Sequence, residues 1–319
     1  MTMVEENKLK GKQIPIDDGF LMSPKNDFVF KLIFGDEKNK DLLIALLSAI
    51  LGLPKEDFEG LEIINSELLR EFAEDKKGIL DVRVKTKRGK QIDVEIQILP
   101  IDFMPERTMF YWAKMYTSQV KQGDTYDLLQ KCVTINIVDF KCTPLKKLHS
   151  SYHLIEDETG YRLTDILEVH FLEMPKLADL EIQRNENESV VEWMEFLDAK
   201  SKGVIEMLAE KNQDIKKAYD ILQIISKDEK ARMLYDAREA ALRDQLTNIK
   251  SAENKGEAKG RIDDICKFLE ARFGAESQAL QDIVRDMTDL DVFIQIIPQI
   301  FMVASVDEAK SLIQNCMIS

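Results

Sequence analysis

The chain has 319 residues, 45% hydrophobic and 32% charged, which is ample for one sizeable core plus an appendage. Its formal net charge of −14 argues against a surface coated in basic patches for nucleic acid, though not against a local basic groove. No apolar run approaches a membrane span, the opening MTMVEENKLKGK lacks a signal-peptide core, and Cys132, Cys142, Cys266 and Cys316 have no CxxC spacing. A cytoplasmic protein with no membrane segment, disulfide framework or zinc knuckle is expected, with His149, His153 and His170 as isolated residues.

Residues 1–20 are polar and aperiodic, a flexible lead-in. Ser23-Pro24-Lys25-Asn26 then starts a helix with Phe28, Leu32 and Ile33 at helical spacing, closed by Gly35. Asp36 to Leu51 is a second amphipathic helix, carrying Leu42, Leu43, Leu46, Leu47 and Ile50 and stopped by Gly52 and Pro54. Leu61–Ile64 reads as the first strand.

Gly78 to Gln97, GILDVRVKTKRGKQIDVEIQ, alternates apolar and polar twice around a basic turn. Leu80, Val82 and Val84 face one way, as do Ile92, Val94 and Ile96; Asp81, Arg83, Asp93, Glu95 and Gln97 face the other. This predicts a β-hairpin. With Lys87-Arg88-Gly89 as a three-residue loop and Gly89 in the left-handed region, Thr86 pairs with Lys90, Arg83 faces Asp93 and Asp81 faces Glu95. A two-residue loop would set polar faces against apolar ones, so parity selects three. Two opposed carboxylates repel; a shared hard cation with oxygen ligands would turn that liability into a site. Asp93 has Arg83 as its expected partner. The Lys85–Lys90 turn is basic enough for Lys87, Arg88 and Lys90 to touch phosphate, although a solvated hairpin tip is the commoner case.

Glu106 to Lys121 is a helix ended by Gly123, with Arg107, Tyr111, Lys114 and Ser118 along one stripe. A functional role for Arg107 requires that stripe to face the acidic side of the hairpin. Cys132–Phe140 alternates as a strand, and Tyr152–Ile155 with Ile166–Leu172 form an outer pair around Thr159-Gly160. From about Leu180 strand signals vanish. Val190–Leu197 and Val204–Leu208 are short helical pieces, and Lys227–Asn254 is a densely charged, solvated helix. Gly256 and Gly260 suggest a joint before a small bundle of Ile262–Phe273, Leu280–Met287, Val292–Phe301 and Val306–Ile313. The domains expected are the tail, a core over 21–200 and a helical region over 201–319, the last a candidate for homo-oligomer or partner contacts.

Asp81 followed by Glu95-x-Gln97 on the next strand resembles the PD-(D/E)xK nuclease signature, with Gln where Lys is usual. Asp27-Phe28-Val29-Phe30-Lys31 with Phe34-Gly35 is similar to the opening helix of the recombination-promoting, transposase-related branch of that family. Arg107, Tyr111, Gly123, Tyr126 and the late Glu173-x-Pro175-Lys176 block resemble its later segments, and the likeness covers roughly residues 22–180. It implies an α/β mixed-sheet, restriction-endonuclease-like core followed by an all-helical region. It also implies a magnesium-dependent DNA endonuclease with Asp81 and Glu95 as metal ligands. Gln97 would orient water or bind the metal through its carbonyl. Asp27 is either a helix-start residue or a member of the acidic cluster, and Lys31 a source of the missing positive charge; Arg107 joins the turn lysines as a DNA contact. The alternative is a degenerate nuclease fold kept as a binding or assembly module, which the −14 charge and helical tail would suit.

Overall fold

The computed structural model describes residues 19–64, 82–287 and 290–318. The chain separates into two compact units, Met1–Glu239 and Ala240–Ser319.

The first unit is built on a six-stranded mixed sheet. Its strands are β1 (Glu62–Ile63), β2 (Val82–Lys85), β3 (Gln91–Gln97), β4 (Cys132–Val138), β5 (His149–Tyr152) and β6 (Leu167–Glu173), in spatial order β1-β2-β3-β4-β6-β5. β3, β4 and β6 run parallel at the centre, and the remaining pairings are antiparallel. The α-helices among the described residues are α1 (Asp27–Phe34), α2 (Lys40–Leu51), α3 (Met104–Thr117), α4 (Leu180–Arg184), α5 (Glu188–Leu197), α6 (Lys202–Lys211), α7 (Gln213–Lys227), α8 (Glu229–Phe273), α9 (Gln278–Arg285), α10 (Leu290–Ile300) and α11 (Val306–Ile318).

The period-two pattern sorts the sheet into two faces. Val82, Val84, Ile92, Val94, Ile96, Val133, Ile135 and Ile137 enter one core with α1, α2, α5, α6, α7 and the start of α8. Trp193 of α5 packs edge-on to Phe34 of α1 at 5.6 Å between ring centroids. The other face carries Arg83, Asp93, Glu95, Thr134 and Asn136, and α3 covers it. Those polar residues are nonetheless buried, Asp93 and Glu95 each at 4% exposure.

The hairpin register is as parity demands. Arg83 pairs with Asp93 and Val82 with Val94; Thr86 N donates to Lys90 O at 2.8 Å, and Gly89 holds φ 88. Asp81, whose expected partner is Glu95, lies outside the described residues.

Several boundaries differ from expectation. The outer strand β5 begins at His149 rather than Tyr152, and residue 155 keeps only an isolated bridge to Arg162. The earlier start seats Leu148 in the core and His149 against His170, a tertiary match that local alternation does not encode. Helix α3 starts two residues early, at Met104, and stops at Thr117, four residues before Lys121. There Thr117 Oγ1 donates to Ala113 O at 2.8 Å and Ser118 Oγ to Met115 O at 2.8 Å, bonds that compete with helix propagation. Helix α7 was not read from the sequence, though Ile215, Ala218, Tyr219 and Leu222 lie at helical spacing and Asn212 caps it, accepting from Asp214 N at 3.0 Å. The expected division at residue 200 falls between α5 and α6, inside the first unit, because α6 and α7 bury their apolar stripes in its core.

The second unit packs the latter part of α8 with α9, α10 and α11 around Ile265, Leu269, Leu280, Val284, Phe293, Ile296 and Ile313. The joint expected at Gly256 and Gly260 is absent: α8 runs through both. Strong helix formers and the Glu257–Arg261 pair at 2.6 Å carry it across the glycines. From Asp236 to Glu257 no residue of α8 is buried, in line with a solvated charged helix. Among the described residues no helix is long and apolar enough to cross a membrane.

Candidate active site

Buried strands with helices on both faces usually read as continuous apolar runs. β3 does not: its sequence QIDVEIQ places Asp93, Glu95 and Gln97 on the face beneath α3. Putting two carboxylates there is costly unless each is neutralised.

Among the described residues neutralisation is incomplete. Arg107, on the stripe of α3 that faces the acidic side of the hairpin, donates through Nη2 to Glu95 Oε1 at 2.5 Å. Arg83 sits across from Asp93 in the register, but its Nη2 donates to Gln91 Oε1 at 2.5 Å. Arg83 Nε, Asp93 Oδ1, Arg107 Nε and Thr134 Oγ1 are buried without a hydrogen-bond partner. Burial pushes the Asp93 carboxyl up to about 8, the neighbouring Glu95 charge adding to it and Arg83 and Arg107 opposing. Burial also raises Glu95, against the pull of Arg107. Well-packed proteins leave few such groups, and four on one face set it apart from an ordinary core.

Gln97 closes β3 at the rim of the sheet. Its Nε2 donates to Leu99 O at 3.0 Å, which orients the amide and keeps Oε1 out of that bond. At the same carboxyl ends of the parallel strands, Asp139 N donates to Gln97 O at 2.9 Å. Lys25 Nζ bridges Asp139 Oδ2 at 2.6 Å and Asp198 Oδ1 at 2.7 Å. Burial works against the Lys25 charge, but the two carboxylates outweigh it and raise its pKa. Sequence reading assigned Lys25 only to a helix start; its neighbours are 114 and 173 residues away, so no local signal announces the bridge.

Asp27 is the first residue of α1, with Asn26 as the cap that accepts from Phe28 N at 3.1 Å. Its carboxylate is held by Arg238, whose Nε lies 2.9 Å from each oxygen and whose Nη2 also donates to it. Lys31, one turn on, is half-buried. Lys87 and Arg88 are exposed at the hairpin tip, and Lys90 is half-buried, its pKa lowered by burial against the attraction of Glu168. The tip lies at the start of β3 and Gln97 at its end, roughly 20 Å away at about 3.3 Å per residue. The structure thus joins Arg107 to Glu95, sets Gln97 two residues on along the same face of β3, and leaves the basic turn at the far end of the strand.

The late Glu173 and Lys176 form a buried ion pair at 2.5 Å. Glu173 also accepts from Cys142 N, Thr143 N and Thr143 Oγ1, pinning the loop after β4. The histidines are not all isolated: His149 Nε2 and His170 Nδ1 are 2.8 Å apart, and His170 Nε2 lies 2.7 Å from Glu168. β5–β6 pairing, invisible in the local pattern, creates that contact.

Among the described residues no three His, Cys, Asp or Glu side chains group to hold a metal. The donors that are described, the Glu95 carboxylate and the Gln97 amide oxygen, are hard oxygens. They suit a cation such as magnesium that keeps several waters and takes one or two carboxylates. With its pKa pushed up to about 8 the buried Asp93 carboxyl is mostly protonated at neutral pH, and a cation on this face would favour its ionised form.

A mixed sheet whose hairpin strand presents buried acids and a rim amide beneath a single covering helix is the frame of a PD-(D/E)XK nuclease-like domain. The family model for the PD-(D/E)XK nuclease family transposase matches residues 24–252, and the chain belongs to that family. The match takes in the whole sheet, α1 to α7 and the first part of α8. No curated protein and no solved structure matches the chain.

Proposed function

We propose that the protein is a magnesium-dependent DNA endonuclease of the recombination-promoting kind, hydrolysing phosphodiester bonds at the polar face of β3. The observation that carries this reading is Glu95: a carboxylate at 4% exposure in mid-sheet, on a face with orphaned polar atoms and Arg107 as its counter-charge. Asp81 and Glu95 would hold the metal, with Gln97 Oε1 beside it. When bound, a divalent ion there neutralises charge on the phosphate and lowers the pKa of water.

The chain's own groups do the rest. Gln97, its Nε2 anchored to Leu99 O, orients the attacking water through Oε1. Arg107 can exchange Glu95 for a phosphate oxygen, since guanidinium binds both in the same forked geometry. Lys25, held charged between Asp139 and Asp198, is outnumbered by them, so it ties down the strand ends beside Gln97 and adds no net positive charge there. Asp27, clamped by Arg238, orders the start of α1, and Lys31 extends the positive charge along it. Lys87, Arg88 and Lys90 contact the DNA backbone away from the cut. Cytoplasmic location and self-association through the helical second unit complete the proposal.

The test is nicking of supercoiled plasmid with and without magnesium. The native protein is expected to cut only with the metal, and Asp81→Asn or Glu95→Gln to abolish cutting while keeping the fold. Binding without cleavage in either magnesium or manganese would instead support the degenerate-fold alternative, with Arg107 permanently occupying the metal's place.

A further inference from the structure

Phe103 caps α3 with φ 60 and ψ 34, a left-handed conformation that bulky side chains avoid. It is the one non-glycine residue at positive φ among the described residues, and it is 75% exposed. Core packing therefore does not hold the ring where it is. The backbone around it is tied to the candidate site: Phe103 O accepts Arg107 N at 2.9 Å, and Arg107 Nη2 reaches Glu95 at 2.5 Å. Phe103 thus precedes by four residues, about one helical turn of backbone, the residue that engages the carboxylate.

Behind this cap Arg107, Phe110 and Lys114 lie at helical spacing along α3. Phe110 is 54% exposed, and Lys114 Nζ lies 4.7 Å from its ring centroid. Phe103 and Phe110 are about 10 Å apart along the helix axis, enough to serve different nucleotides. Aromatic faces interleaved with cations are the usual means of holding unpaired bases, because every base offers a π-face and every nucleotide a phosphate. Asp102 and Glu106 are exposed on the same turn and Arg107 is engaged by Glu95, so on a chain of net charge −14 the two exposed rings, rather than local charge, suit a nucleic acid here.

Resting on the nuclease reading above, we propose that Phe103 and Phe110 stack on unpaired bases flanking the phosphate to be cut. The preferred substrate is then DNA with unpaired or readily unstacked nucleotides, as in a bubble, flap or single strand, over uniform duplex. The strained backbone at Phe103 keeps its ring presented to the substrate.

The full chain is titrated, in EDTA so that nothing is cut, with labelled oligonucleotides: a single strand, a duplex with a three-nucleotide bubble and a fully paired duplex. Anisotropy reports affinity, and 2-aminopurine in the bubble reports stacking. The native protein should prefer the bubble and the single strand. Phe103→Ala should lose about tenfold in affinity for both, with little change for paired duplex, and should lose the stacking signal. Phe103→Tyr should retain both. Phe103→Asn tolerates the left-handed backbone without the ring, so it separates stacking from folding and should behave as Phe103→Ala. The proposal is overturned if the native protein binds DNA yet the folded Phe103→Asn variant binds the bubble equally well. It is also overturned if Phe103→Ala converts an oligomer to a monomer without changing DNA binding. Failure of the native protein to bind any DNA would overturn the nuclease reading itself, and this proposal with it.

Discussion

Glu95 is a buried acid whose side chain is 5% accessible and whose described counter-charge is Arg107. Removing Arg107 leaves a buried carboxylate without compensation. Arg107→Ala should therefore destabilise the protein by about 3 kcal/mol in EDTA. If the face takes magnesium, the ion should restore part of that loss, since a ligand that binds only the native state stabilises by mass action. Thermal unfolding with and without magnesium checks both statements; an Arg107→Ala variant as stable as the native protein in EDTA would show that Glu95 is compensated by another group. Phe103 makes the complementary case at the surface. Phe103→Asn should stabilise the fold by about 1 kcal/mol of relieved left-handed strain, and calorimetry reads this as a higher melting temperature.

At the scale of elements, β5 and β6 are joined by more than backbone pairing. His149 stacks on His170 with ring centroids 5.0 Å apart, and the chain of contacts continues to Glu168 and Lys131. Burial, then the His170 charge and Lys147, lower His149 to about 4, against the attraction of Glu168. A histidine whose folded pKa lies below its unfolded value favours the neutral form in the fold. Its stabilisation is fully present above pH 6.5 and is lost as pH falls from there to about 4. We expect urea unfolding to show roughly 2–3 kcal/mol of lost stability across that window, and His149→Gln to flatten it. The long helix α8 makes a different prediction. A Cβ at Gly256 or Gly260 would meet nothing, so either change to Ala should stabilise the helix by roughly 1 kcal/mol, read as a higher melting temperature.

For the whole molecule, two compact units share one helix, and its residues from Asp236 to Glu257 have no buried member. Helix held by propensity rather than packing opens locally at low cost. Limited proteolysis should cut first within that stretch and leave an N-terminal fragment ending near residue 240–257. First cuts within the sheet would contradict the division. The same division bears on function, because the matched family span ends at residue 252 and leaves α9, α10 and α11 beyond it. Cleavage is expected to reside in the first unit, and loss of the second to change assembly or affinity before it changes chemistry.

The hairpin was legible because a strand's side chains alternate with period two. That parity alone set Lys87-Arg88-Gly89 as the loop, Gly89 at positive φ and Arg83 opposite Asp93. The charged character of α8 and the helices of the second unit were legible for the same local reason, at a period of 3.6. The pattern also put Glu95 and Gln97 on a common face and Arg107 on a stripe with Tyr111 and Lys114. It could not say that α3 would close over that face. Without the cover, Glu95 is an ordinary solvated acid; with it, the carboxylate is buried, raised in pKa and tied to Arg107. The Lys25 bridge to Asp139 and Asp198, the Arg238 clamp on Asp27 and the His149–His170 contact were likewise unreadable, each joining residues brought together by folding. Local periodicity decides which way a side chain points; only the packing of distant elements decides what it meets, and burial then sets how strongly charges act on one another.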